Sequence, residues 1–305
     1  MKSSLVLSIA LVLASCAHRP AEEWRIVYNV NLAETKNYEI FSMAPDGSDV
    51  RNISNSPGTD WVYGSCGDRV YFVSTRDTDG KGYFLYEMDA NGGNVRRLTA
   101  YKVPDSHVGG GGDCGRLVIS IRKEDNFDLF LIDREGAELQ RLTSTAVRDM
   151  DPAVSPDGTQ VAYRSGESAA MELWLMNADG SGARQLTTHP APESIGEEHV
   201  YRAGPPRWSP DGKSITYMSW RDGKYGLFAT DSSGSTPRRL TPVDVDAGYH
   251  HWAPDGRAIA LDVKHEGNYD IFVMNADGSA LRRLTNSPHY EQGPVYVRVS
   301  GSRGR

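Results

Sequence analysis

The stretch MNADGSALRRLTNS, Met274–Ser287, has a near-double in MNADGSGARQLTTH, Met176–His189, 98 residues upstream. Each copy runs from the end of an apolar segment, through Asn-x-Asp-Gly, to a short polar stretch that closes on Leu-Thr. Asn and Asp side chains bond the local backbone and Gly accepts a positive φ, so the phrase predicts a tight hairpin. Looser copies of its last triplet end at Ser54, Thr99, Thr143, Thr187, Thr241 and Thr285, at intervals of 45, 44, 44, 54 and 44 residues. A period near 44 with several short strands per unit predicts a β-propeller with one four-stranded blade per repeat.

The fourth repeat shows what a blade contains. DPAVSPDGTQVAYRS (Asp151 to Ser165) holds an apolar strand, a Ser-Pro-Asp-Gly turn and a second strand. Pro presets φ and Gly takes the left-handed position in such a turn. MELWLMNADGSGARQLT then adds a third strand, the hairpin and a short outer strand. Outer hairpins begin at Tyr38, Phe84, Asp128, Glu172, Tyr225 and Tyr269, six in all. Only five complete inner strands precede them, because Trp24–Asn29 (WRIVYN) matches the second strand of a blade. The missing innermost strand is expected from Gly293 to Val299. The predicted fold is therefore all-β, a six-bladed propeller of antiparallel blades over 24–300, closed by the C-terminal strand joining the N-terminal blade. Closure of this kind removes exposed sheet edges.

Repeats of the form D-x-x-P-x-W-S-P-D-G followed by M-N-x-D-G-S-x-x-x-x-L-T resemble those of the TolB-type six-bladed propellers. The resemblance covers about residues 24 to 300 and is closest in blades 4 to 6. It implies a protein-docking face and, as partner, an envelope protein such as a peptidoglycan-associated lipoprotein. The expected form is a stand-alone propeller without the N-terminal α/β domain of that family, and a monomer.

The first residues point to the cell envelope. Lys2 precedes an apolar run from Leu5 to Ala14, too short for a span of roughly 20 residues but suited to a signal peptide. Leu13-Ala14-Ser15-Cys16 resembles a bacterial lipobox, which implies removal of 1–15, lipidation of Cys16, and a tether over 16–23. Ala17 after the cysteine favours the outer membrane by the same resemblance, with the protein facing the periplasm. The net charge of -7 and the scattered Lys and Arg exclude a nucleic-acid binder, which needs a basic stripe. The tail 301–305 is basic but short.

No G-x-S-x-G nucleophile elbow, no H-E-x-x-H and no phosphate loop leading to Lys-Ser/Thr occurs. GGGGDCG (Gly109 to Gly115) leads into a strand and reads as a close-packed start to blade 3. Cys66 and Cys114 stand at matching turns of blades 2 and 3. An oxidising envelope permits a disulfide between them, and two separate thiols are the other reading.

Acidic residues and histidines gather where the innermost strands begin, beside the central channel: Asp60, Asp105, His107, Asp151, His199, Asp246, His250, His251, His289 and Glu291. One reading has them bonding strand entries within and between blades. The other is a funnel for a polar ligand or a divalent cation, with carboxylates suited to Ca²⁺ and imidazoles to Zn²⁺ or Mn²⁺. No cofactor is required by the first. The ten-residue excess before blade 5 forms a loop expected to contact a partner, with Glu193, Glu197, Glu198, Tyr201 and Arg202. The expected function is a lipid-anchored, non-enzymatic interaction module. A metal-dependent, lyase-like carbohydrate-active enzyme or an oligosaccharide binder at the channel mouth is the alternative.

Overall fold

In the computed structural model, which describes residues 24–299 apart from 33–36, 113, 168–169, 190–200 and 222, the repeated phrase is the outer half of a blade. In blade 6 the third strand, Asn268–Asn275, turns and returns as the outer strand Arg282–Arg283. The bend is held locally: the Gly278 N–H donates to the Asn275 carbonyl at 2.9 Å, and Asp277 Oδ1 accepts from the Ser279 N–H at 2.9 Å. Blade 4 makes the same two bonds through Gly180 and Asp179.

The closing Leu-Thr does two jobs. The Leu284 N–H donates to the Ile271 carbonyl at 2.8 Å, and the Thr285 hydroxyl accepts from the Ile271 N–H at 2.9 Å. Without that hydroxyl a third-strand N–H beyond the two-residue outer strand would be left unpaired. The bond recurs from Ile40 to Ser54, Leu85 to Thr99, Leu129 to Thr143, Leu173 to Thr187 and Leu227 to Thr241. Gly278 has φ near 93°, and a Cβ there would lie 2.2 Å from the Leu240 carbonyl oxygen of the preceding blade. The hairpin glycine thus bends the chain and lets each blade seat on the Leu-Thr of the blade before it. Gly47 of blade 1 meets Leu284 of blade 6 in the same way, so the contact runs round the whole ring.

The ring has six antiparallel sheets of four strands. Its inner strands are Tyr290–Arg298 in blade 1, Asp60–Cys66 in blade 2, Gly109–Gly110 in blade 3, Arg148–Val154 in blade 4, Arg207–Trp208 in blade 5 and Asp246–Trp252 in blade 6. Blade 1 is built from both ends of the chain: Tyr290–Arg298 pairs with Trp24–Leu32, from Asn31 opposite Tyr290 to Trp24 opposite Arg298. Both closing strands are longer than the sequence pattern predicts, because the pairing continues past the apolar residues to the ends of the blade.

The apolar core lies between adjacent blades. Ala153, Leu173 and Leu175 of blade 4 pack with Trp208, Tyr217 and Phe228 of blade 5. Tyr28 and Met43 of blade 1 pack with Ala260 and Ile271 of blade 6. Each large side chain so buried contributes roughly 1.5–3 kcal/mol. Inner strands run from an entry face, where Asp60, Asp149 and Asp246 stand, to a turn face carrying the Ser-Pro-Asp-Gly bends. There Ser155 donates to Asp157 at 2.6 Å and Ser209 to Asp211 at 2.7 Å. Trp24 belongs to the turn face, where it borders an apolar groove of about 560 Å³ with Pro254 and Tyr296.

Cys66 and Cys114 form a disulfide that ties blades 2 and 3 near the turn face, with Cα atoms 5.7 Å apart. The glycine run makes this approach feasible: a Cβ at Gly110 would fall 2.8 Å from Cys66 Cβ. Gly111 is pressed on its other side by Val154 of blade 4, so the run is packed between two neighbours.

Candidate functional site: the channel and its entry mouth

Six inner strands that alternate side chains inward necessarily line a channel. Here the channel is bridged twice across its diameter. Arg207 of blade 5 donates from Nη2 to the Tyr63 carbonyl of blade 2 at 3.2 Å. His107 of blade 3 meets the ring of Tyr249, from blade 6, with centroids 5.7 Å apart. Since blades 2 and 5, and blades 3 and 6, stand opposite in a ring of six, these contacts cross the channel, and its stretch on the entry-face side of them is termed the bowl.

The wall of the bowl is a polar network centred on Asp151. This residue has φ near 54°, outside the strand region, which turns its carboxylate toward its neighbours. Oδ1 accepts from the His107 N–H at 2.9 Å and faces His107 Nδ1 at 3.1 Å, while Oδ2 accepts from Arg164 Nε at 2.6 Å. Burial alone would raise the Asp151 carboxyl, but the Arg164 guanidinium, then His107, hold it far below the usual carboxylate range. Arg164 is itself covered by the Tyr201 ring, 4.5 Å from its Cζ. Tyr63 donates its hydroxyl to Asp105, whose side chain reaches solvent at the rim.

Three histidines border Arg207. Burial, and next the charge of Arg207, push His107 down to about 4 and His251 down to about 3; the same causes hold His250 well below its ordinary value. All three are therefore neutral at pH 7. His250 Nε2 lies 2.8 Å from the Thr216 hydroxyl, and His251 Nδ1 lies 3.0 Å from the Trp252 carbonyl. Burial brings Arg207 down to about 10, with Asp151 opposing, so it stays a cation.

Asp105, His107, Asp151, His250, His251 and Tyr201 thus share the channel and its mouth. The other candidates serve individual blades. Asp60 is buried and paired with Arg76 at 2.8 Å, Asp246 accepts from the Tyr225 N–H at 3.0 Å, and Glu291 faces the hydroxyls of Thr285 and Ser287. His289 lies on the loop entering blade 1, where its carbonyl accepts from Asn268 at 3.1 Å. The Arg202 carbonyl accepts from the Ser219 hydroxyl at 2.5 Å, outside the bowl. Cys16, Glu193, Glu197, Glu198 and His199 fall outside the described residues. Among the described residues no three His, Cys, Asp or Glu side chains converge as a metal-ligand set. The carboxylates turn to Arg, Ser, Thr and backbone N–H instead.

Four contributors escaped the sequence pattern: Tyr63, Arg164, Arg207 and Tyr249. Arg207 had a usable signal, since it stands between Pro205-Pro206 and Trp208-Ser209-Pro210-Asp211-Gly212, where an inner strand must be. A charged residue at that place faces either a neighbouring blade or the channel.

A model of the TolB β-propeller domain matches residues 199–301. An uncharacterised peptidase of Bacillus subtilis, YuxL, is 30% identical over 30% of this chain and 14% of its own length. The Tol-Pal system protein TolB of Anaeromyxobacter dehalogenans is 54% identical over 12% of this chain and 8% of its own. The chain therefore spans less than a fifth of these relatives. The crystal structure of TolB from Acinetobacter baumannii superposes with a TM-score of 0.71 at 16% identity, over 89% of this chain and 66% of that one. Repeat, blade topology and superposition agree: the chain folds as a six-bladed β-propeller whose residues 199–301 match the TolB β-propeller domain.

Proposed function

We propose that the protein is a docking module of the cell envelope, receiving a protein partner at the entry mouth of its propeller. The observation that carries this reading is the divided channel. A bowl closed below by Arg207–Tyr63 and His107–Tyr249 can receive part of a partner, whereas the bridges narrow the passage beneath it. Its wall of Tyr201, Tyr249, Arg164 and Asp105 mixes aromatic and charged groups, the composition that dominates the energetics of protein interfaces. Likeness to TolB supports a partner of the peptidoglycan-associated lipoprotein kind.

The proposal includes a lipid anchor at Cys16 and a place at the periplasmic side of the outer membrane. The chain enters the propeller at Trp24, on the turn face, so a short tether would hold that face toward the lipid. The entry mouth would then point away from the membrane, available to a partner.

The test is cross-linking in intact cells with the tagged protein, followed by mass spectrometry. A specific envelope protein is expected, and Asp105→Lys, which reverses the charge at the rim, is expected to abolish its capture. Equal capture by wild type and variant would overturn the assignment of the mouth.

A further inference from the structure

Arg207 is a cation in the channel that, among the described residues, forms no ion pair, although the charge of Asp151 acts on it from a distance. Among the described residues no carboxylate lies within ion-pair distance of its guanidinium, and its hydrogen bond to the Tyr63 carbonyl uses one of five N–H donors. Three guanidinium groups elsewhere in the blades are matched: Arg76 to Asp60 at 2.8 Å, Arg141 to Asp128 at 2.7 Å and Arg283 to Asp270 at 2.7 Å. The nearby carboxylate of Asp151 is committed to Arg164 and His107. Arg164 carries a second vacancy, because its Nη1 is buried without a partner although the residue is 5% exposed. Arg207 is only half-buried, yet burial still lowers it, and a partly desolvated cation gains from a counter-charge with hydrogen bonds. The three histidines supply no negative charge, since an imidazole is either neutral or cationic.

We propose that Arg207 binds a carboxylate carried on a peptide, inserted into the bowl by the docked partner; the inference rests on the docking reading above. A planar guanidinium matches a carboxylate through two parallel N–H bonds, a fit that ammonium or imidazole lacks. The opening also selects the arm. With His107 and Tyr249 meeting across the channel, a slender group can reach Arg207, such as an Asp or Glu side chain or a chain terminus.

The test uses the full chain and four probes, followed through the ring signals of His250 and His251 by NMR. Acetyl-Gly-Gly-Glu-Gly-Gly-amide offers a side-chain carboxylate, acetyl-pentaglycine offers a terminal one, and acetyl-Gly-Gly-Gln-Gly-Gly-amide offers neither. Trigalacturonate offers the same group on a sugar. One carboxylate peptide is expected to shift both signals saturably at millimolar concentration, and which one does so identifies the source. Arg207→Gln is expected to weaken that binding by about tenfold or more, with Arg207→Lys retaining part of it. Thermal melts of both variants confirm folding.

A response to the Gln peptide equal to that of its Glu counterpart, unchanged binding in Arg207→Gln, or no response to either carboxylate peptide overturns the proposal. Tighter, Arg207-dependent binding of trigalacturonate overturns the peptide assignment. Cross-linking in cells keeps the two readings apart. A partner captured equally by wild type and Arg207→Gln leaves docking intact and removes the carboxylate. Failure to capture a partner with wild type removes docking.

Discussion

Blades 4 and 5 share a core yet follow different rules. In blade 4 the inner strand Arg148–Val154 is complete, its turn is Ser-Pro-Asp-Gly, and Gly180 seats against Leu142. In blade 5 the inner strand shrinks to Arg207–Trp208, after a loop that lengthens the repeat by ten residues. Both blades keep the outer hairpin and the Thr hydroxyl bond. The outer half of a blade is therefore constrained by its neighbours, while the inner half is free to vary where it faces the channel. That freedom places Arg207 opposite Tyr63.

The sharpest break of this comparison is Asp151→Ala, in the inner strand of blade 4. It would strand Arg164 as a second uncompensated cation and cost about 4 kcal/mol. Urea unfolding measures it, and a loss comparable to a surface substitution would show that the network is not a structural element. Next is the bridge between the irregular blade 3 and blade 2. Replacing Cys66 and Cys114 by serine opens a loop of 48 residues and should cost about 3 kcal/mol.

Smaller, and more discriminating, is a pair of glycine substitutions. Gly278→Ala meets both a left-handed φ and the Leu240 carbonyl, and should cost about 2 kcal/mol. Gly158→Ala has φ near 74° but open space, so only the conformational term of about 1 kcal/mol remains. Equal losses would mean that seating between blades contributes little.

A change of slope rather than of total stability tests the channel, through its pH dependence. His107 is lowered from 6.5 to about 4, so its contribution to stability is complete above pH 6.5 and lost as pH falls toward 4. Asp262, under the entry to blade 6, opposes it. Burial raises its carboxyl from 3.8 to about 7, against the N–H bonds from Gly293 and Tyr249. Its favourable contribution is full below pH 3.8 and disappears as pH rises toward 7. Asp262→Asn should therefore steepen the loss of stability on acidification between pH 6.5 and 4. An unchanged slope in urea midpoints would remove Asp262 from the account.

The period of the Leu-Thr triplets carried the architecture because each copy answers the same local demand, an orphan N–H at Ile40, Leu129 or Ile271. Closure was legible too, since an unpaired second strand at Trp24 and an unpaired inner strand at Val295–Val297 have complementary needs. The channel was legible only in part. Asp60 and Asp151 look alike in sequence, but one pairs with Arg76 inside its blade while the other turns inward at a positive φ. Arg164 and Arg207 are polar residues in strands, and their inward direction depends on a register set by neighbouring blades. The disulfide depended likewise on how close two turns come, which the glycine run decides.

The construction of blade 1 has a temporal consequence. Trp24–Leu32 is made before blades 2 to 6, and its inner partner, Tyr290–Arg298, after them. Until then blade 1 has only three strands, and the inner edge of Trp24–Leu32 is open. Bringing the ends together costs little more for a long chain than for a short one, since the entropy of closure grows only with the logarithm of length. The final strand thus acts as a latch. A chain that stops short of it displays an open edge, the feature by which an incomplete copy differs from a finished one.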